Sequence, residues 1–279
     1  MTEAVSAAWQ RTIRAKLDEI ARDEGVSILL AIESGSRAWG FHSTDSDYVV
    51  RFVYARPVDW HLQVFPGRDV IERPISDELD LSGWDLRKTL ALILGSNAVA
   101  LEWLQSPIIY AEAPGFRQTL TGFAKDTLRR KPVMWHYRRL AERQMERLHN
   151  PDGSLRLKRY FYLIRPVLAL RWLRLNPGLA TPPMDMTSLM AECALPESLR
   201  QTILDLIARK KMLTEGDDIR TAPADTDTLI QAEMAQALAE LGAGAEPPAA
   251  SQSAAADAIL ASWTRLCDPT LKEIGHDRP

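Results

Sequence analysis

Apolar residues first recur at helical spacing from Ala8 to Arg22, where Trp9, Ile13, Leu17 and Ile20 form one stripe, so the chain is predicted to open with an amphipathic helix. Ser27 to Ile32 (SILLAI) replaces that period with a short unbroken apolar run, the pattern of a buried strand. After ESGSRAWGF and the polar turn HSTDSD, Val49 to Tyr54 (VVRFVY) is β-branched and aromatic and predicts a second strand. Ile71 to Ile75 and Leu79 to Leu81 supply further short strands. At Trp84 the period becomes helical again. WDLRKTLALILGS sets Leu86, Leu90 and Ile93 on one side and stops at Gly95, with Ser82 as the expected cap and Asp85 in the first turn. A shorter helix, AVALEWLQ, follows Asn97 and ends before Ser106-Pro107.

Beyond Glu112 the pattern is mostly helical: Phe116 to Arg129, Val133 to Leu148, Leu155 to Leu175, Glu197 to Met212 and Leu229 to Leu241. Asn150-Pro151-Asp152-Gly153 marks a turn, and Pro166 predicts a kink or boundary within an otherwise helical stretch. The expected organisation is an α/β domain over 1–111, a helical domain over 112–241, a linker over 242–256 (GAGAEPPAASQSAAA) and a C-terminal helix and tail over 257–279.

Composition narrows the class. The 279 residues are 46% hydrophobic and 25% charged, as in an ordinary globular protein, and too balanced for a disordered or fibrous chain. No run of about 18 uncharged apolar residues occurs, so neither a membrane partner nor secretion is expected. Two cysteines, Cys193 and Cys267, make no disulfide framework and point to a reducing, cytoplasmic setting. The formal charge of -3 hides an asymmetry: Lys125 to Arg174 holds 14 Lys or Arg against 4 Asp or Glu, net +10, leaving -13 for the rest. A polyanion partner is therefore compatible with a mildly acidic chain, because binding follows the local field.

The chemically informative segment is Glu33 to Asp47. A strand, then Gly35-Ser36, then an acidic turn leading into a second strand offers backbone N–H groups and a hydroxyl to phosphate oxygens, with Asp47 placed to hold a divalent cation. ESGSRAWGF with DSDY and VRFVY, then LDLSGWDLRK, LEWLQSPI, KRYFYLIRP and PPM, resembles the predicted nucleotidyltransferases of the DNA polymerase beta superfamily that include RNA-repair-associated proteins. The resemblance runs from about Val26 to Met212. It implies an α+β architecture, a minimal nucleotidyltransferase mixed-sheet domain followed by a helical domain. The implied chemistry is Mg²⁺-dependent transfer of a nucleoside monophosphate from a nucleoside triphosphate, ATP as the broad expectation, to an acceptor that the RNA-repair association makes a candidate RNA.

Carried over by position, Gly35 and Ser36 match the glycine-serine pair expected at the triphosphate, and Asp47 matches the first of two carboxylates two residues apart. The second position is Val49, which cannot ligate a cation, so transfer is expected to be impaired in this chain. The alternative is a catalytically inactive nucleotide-binding or RNA-binding protein. Asp45 is a possible substitute ligand in the turn. Alternation aims Asp80 away from Leu79 and Leu81, making it the leading third carboxylate and candidate base, with Glu72 as runner-up. Arg37, Arg51 and Lys88 are candidate phosphate contacts, and Lys158 and Arg165, on the basic helical segment, are candidate nucleotide contacts. His42 is read as a turn residue, and Trp39, Trp84 and Trp103 as apolar anchors.

Overall fold

A computed structural model describes residues 5–76, 78–152, 154–212, 218–219, 223–241 and 250–268. Helix α1 (Ala7–Glu24) forms where the stripe demands it. The Ser6 hydroxyl caps it by accepting from the Trp9 N–H, it ends at Gly25 in the left-handed region, and it buries Ile13, Leu17 and Ile20. There follow β1 (Ser27–Ser34), α2 (Gly35–Trp39), β2 (Tyr48–Ala55), α3 (Val58–His61), β3 (Val70–Glu72), β4 (Leu79–Asp85), α4 (Leu86–Leu94), α5 (Ala98–Gln105) and β5 (Ile109–Glu112).

The five strands form a mixed sheet in the order β3-β4-β2-β1-β5. Strands β2 and β4 pair in parallel, while β1–β2, β1–β5 and β3–β4 are antiparallel. One face lies under α1 and is apolar: Tyr48, Val50 and Phe52 of β2 and Leu79 and Leu81 of β4 join Ile13, Leu17 and Ile20 in one core. Gly83 belongs to this face because nothing larger fits; an added Cβ would stand 2.1 Å from the Phe52 ring. On the other face the alternate residues Val49 and Arg51 of β2 and Asp80, Ser82 and Trp84 of β4 are only half-buried.

Two expectations near β4 change. The strand runs through Trp84 to Asp85, so Ser82 is a strand residue and does not cap α4. The cap is Asp85, whose carboxylate accepts from the Arg87 N–H at 2.8 Å. Ile75 lies outside β3 and is exposed. Strand β5 has no counterpart in the sequence pattern, since IYAE is too short to show a period.

The remaining helices are α6 (Phe116–Thr127), α7 (Arg130–Glu146), α8 (Leu157–Leu175), α9 (Met186–Glu192), α10 (Glu197–Met212), α11 (Ala224–Leu241) and α12 (Ala250–Cys267), with a two-residue strand pair β6 (Leu155–Arg156) and β7 (Asp218–Ile219). Pro166 creates no boundary, because α8 continues through it with Leu163 to Leu170 all buried. Packing around the whole circumference outweighs one lost backbone hydrogen bond there. Residues 250–256, expected as the end of the linker, are the first turns of α12; 242–249 lie outside the described residues. One continuous core joins the second sheet face to the helices, running through Phe41, Val53, Leu86, Trp103, Phe116 and Leu168. This mixed sheet followed by a run of helices is the α+β arrangement expected from the sequence. Among the described residues no helix is long and apolar enough to cross a membrane.

Candidate functional site

Of the predicted carboxylates, Asp80 lies on the half-exposed face of β2 and β4. Parallel register sets Val49 beside Asp80 and Arg51 beside Ser82. Asp47, exposed, directly precedes β2. The Arg51 guanidinium forks onto the Asp80 carboxylate, Nη2 to Oδ2 at 2.7 Å and Nη1 to Oδ1 at 3.1 Å, and Nη1 also reaches the Asp80 carbonyl at 3.2 Å. The two side chains keep 21% and 28% of their exposure, so the pair is open to solvent on one side.

The turn between β1 and β2 closes over this face. Gly35 adopts φ +66°, and a Cβ there would lie 3.3 Å from the Val49 side chain, so position 49 points at the Gly35-Ser36 turn. Ser36 is buried and accepts, through its carbonyl, the Phe41 N–H at 3.0 Å. Arg37 is buried and anchors the turn: Nη2 donates to the Ser46 carbonyl at 2.6 Å, Nε donates to the Asp47 carbonyl at 3.3 Å, and the guanidinium lies 3.9 Å from the Tyr48 ring centre. It therefore shapes the backbone that carries Asp47. Ser43 and Ser46 bind each other at 3.0 Å within the same turn.

Two groups that the sequence did not single out complete this region. Glu33, fully buried on β1, accepts the Val49 N–H at 2.9 Å on Oε1 and the Tyr110 hydroxyl on Oε2. Burial pushes its carboxyl up to about 7, against the opposing pull of the Tyr110 and Val49 hydrogen bonds and of Arg37 and Arg51. Burial, followed by Glu33, raises the Tyr110 hydroxyl in turn. On the other side Lys210, buried on α10, stands 5.8 Å from the Phe41 ring centre. His42 is held down to about 4 by burial first, then by Arg37, Lys211 and Lys210, so this turn sits in a positive field. Both signals were out of reach in the sequence: Glu33 reads as a polar strand end, and Lys210 is more than 160 residues away from the turn.

Other predicted contacts are placed elsewhere. Lys88 binds Asp69 at 3.0 Å beside the far end of β4, where the five steps from Asp80 to Asp85 span about 17 Å. Arg165 is buried in an ion pair with Glu102, donates Nε to the Met184 carbonyl at 3.0 Å and stacks 4.2 Å from the centre of Trp39. It fastens α8 to α5 and α2 instead of presenting its charge to a cleft. Lys158 is half-buried one turn before Tyr162, whose ring meets Trp39 edge-on at 5.2 Å. Glu72 is exposed at the sheet edge, paired with Arg68 at 2.8 Å, and Asp45 is exposed in the turn. Trp84 and Trp103 stack at 3.8 Å, as anchors do.

A pair of divalent cations does not fit the residues present. Val49, two residues after Asp47 and in register with Asp80, offers no ligand, the Asp80 carboxylate is already engaged by Arg51, and no group of three or more His, Cys, Asp or Glu among the described residues is arranged to hold a metal.

The chain is 42% identical over 204 residues to "Uncharacterized protein YcgL" of Bacillus subtilis (strain 168), covering 72% of this chain and 77% of that one. A crystal structure of a nucleotidyltransferase-like protein from Exiguobacterium sibiricum 255-15 aligns over 93% of this chain and 80% of the other at 13% identity and a TM-score of 0.29. The RlaP family model, described as the RNA repair pathway DNA polymerase beta family, matches residues 9–261. Such membership supports nucleotidyltransferase-type chemistry in general. With that model matching residues 9–261 of its 279, this chain is a member of the RNA repair pathway DNA polymerase beta family.

Proposed function

We propose that this chain binds a nucleoside triphosphate, ATP as the first candidate, on the β2–β4 face, and that its transfer of a nucleoside monophosphate to an acceptor, RNA in the leading case, is impaired by Val49. The observation that carries the reading is the convergence of the Gly35-Ser36 turn, position 49 and Asp80: Val49 is in register with Asp80 and in contact range of Gly35. In this arrangement the first backbone N–H groups of α2 and the Ser36 hydroxyl receive phosphate oxygens, within the positive field of Arg37, Lys210 and Lys211. Arg51 has a guanidinium that can turn from Asp80 to a phosphate, since both ligands accept a fork. Asp80, once released, is the carboxylate on this half-open face, in register with position 49, for receiving a proton from an acceptor hydroxyl.

The family reaction uses Mg²⁺, which supplies charge neutralisation at the transferring phosphate. The incomplete carboxylate set is the reason transfer by this chain is expected to be weak. A binding-only role is favoured by the same Arg51–Asp80 fork, which satisfies Asp80 without a cation. Isothermal titration of the full chain with ATP, GTP, CTP and UTP, with and without Mg²⁺, tests the shared core of both readings. Saturable binding that Ser36→Ala together with Arg51→Ala weakens supports it. No saturable binding of any triphosphate by the folded chain overturns it.

A further inference from the structure

A second cationic site lies away from the β2–β4 face. A cleft of about 540 Å³ opens between the end of α4, the start of α5 and one side of α7, lined by Ser96, Asn97, Trp135, His136, Arg139 and Arg143 among others. Trp135, Arg139 and Arg143 follow one another at intervals of four, so they form one stripe on α7, with steps of about 6 Å. The two arginines are exposed, and neither has a carboxylate partner among the described residues. Their neighbour Arg138, off this stripe, does pair, with Glu142 at 2.6 Å. Arg143 donates only to the Arg139 carbonyl, at 3.4 Å, and Arg139 stands 5.5 Å from the Trp135 ring centre. Trp135 and His136 are half-buried and line the cleft. Burial, then Arg165 and Arg143, hold the His136 imidazole below its ordinary range despite Glu102, so near neutral pH it is an uncharged hydrogen-bonding group.

We infer that this cleft is a binding site for single-stranded RNA, with a base stacked on Trp135 and successive phosphates on Arg139 and Arg143. An aromatic face flanked by unneutralised arginines matches a polymer that alternates flat bases and phosphates. An acidic peptide would use the arginines but has no recurring flat group for Trp135. Asn97 lines the cleft with its side-chain oxygen committed to the Val99 and Ala100 N–H groups, which leaves its amide NH₂, with the His136 imidazole, as the polar groups suited to a base edge. The α7 wall of the site also lies within the segment of net charge +10. The inference deepens the reading of an RNA acceptor, and it gives that acceptor an anchor separate from the triphosphate site.

The test is fluorescence anisotropy of the full chain with a labelled unstructured RNA of about 10 nucleotides, a typical single-strand site size, from about 50 to 200 mM KCl. Arg139→Glu with Arg143→Glu is expected to weaken binding at least tenfold and to flatten the slope of log K against log salt by about 1.4, from two lost phosphate contacts. Trp135→Ala is expected to weaken binding by about tenfold with the slope unchanged, the signature of lost stacking. Both variants change surface or half-buried positions, and their thermal midpoints report folding. Wild-type affinity in either folded variant, or displacement of the RNA by poly-glutamate at equal charge concentration, overturns the inference. A chain that binds triphosphate but no RNA overturns it while leaving the nucleotide reading intact. Loss of triphosphate binding with RNA binding retained does the reverse.

Discussion

Replacing Val49 with aspartate is the perturbation from which the most can be learned. The new carboxylate would stand beside Asp80 on the neighbouring parallel strand, with Asp47 one alternate position earlier and the Gly35-Ser36 turn in front. Adjacent strands are about 4.8 Å apart, and two like charges about 5 Å apart repel by about 3 kcal/mol at an effective dielectric of about 20. Arg51, already forked onto Asp80, and partial solvent exposure reduce this to about 1–2 kcal/mol. Losing the buried part of the valine adds about 1 kcal/mol. Without a divalent cation the variant is therefore expected to unfold about 5 °C below the parent, at roughly 2–3 °C per kcal/mol for a chain of this size. With Mg²⁺ the order should narrow or invert, because three carboxylates now face one cation; a concentration 100-fold above its dissociation constant restores about 2.7 kcal/mol. Differential scanning calorimetry with and without Mg²⁺ measures that difference directly. In parallel, labelled triphosphates with pooled RNA acceptors should show transfer raised by about 10²-fold or more, since each 1.36 kcal/mol of transition-state charge compensated is tenfold in rate. Asp80→Asn in the same background should abolish both gains. A folded Val49→Asp protein that Mg²⁺ stabilises no more than the parent, and that transfers no faster, refutes the assignment of position 49.

Other expectations concern the supports of the site. Glu33 carries a carboxyl raised from 4.5 to about 7 by burial, so the folded chain holds this proton more tightly than the unfolded one. Its contribution is fully present below pH 4.5 and is lost as pH rises through 7, by about 3 kcal/mol, and Glu33→Gln should flatten that part of the pH–stability curve measured by urea unfolding. Glu102→Gln should cost about 3–5 kcal/mol, because it leaves the buried Arg165 guanidinium without its counter-charge, and the loss should appear as a lowered urea midpoint. Gly83→Ala should destabilise by about 3 kcal/mol or more through its clash with Phe52, with partial recovery in the double variant that also carries Phe52→Ala.

Much of this molecule follows from local pattern. The stripe of α1, the run of β1, the alternation of β2 and the helical period of the later segments all depend on residues a few positions apart, and the observed elements fall on them. The same is true of the gap in the acidic pair: strand parity alone puts 47 and 49 on one side, and valine at 49 is visible without coordinates. What parity does not provide is a partner. It says which way Arg51 and Asp80 point, but not that β2 and β4 run in parallel with 49 beside 80, which lets Arg51 close onto Asp80 across 29 residues of chain. Sequence likewise shows Arg165 and Lys88 only as cations. Tertiary packing assigns the first to buried Glu102 and the second to Asp69 near the opposite strand end. Glu33 holds its proton to about pH 7 only because the folded sheet buries it, while the hydroxyl of Tyr110, 77 residues later, pulls the other way. A side chain's type and direction are set by a few neighbouring residues, whereas its charge state and availability are set by whatever the fold brings within about 4 Å of it, since Coulombic and desolvation energies change steeply over that distance.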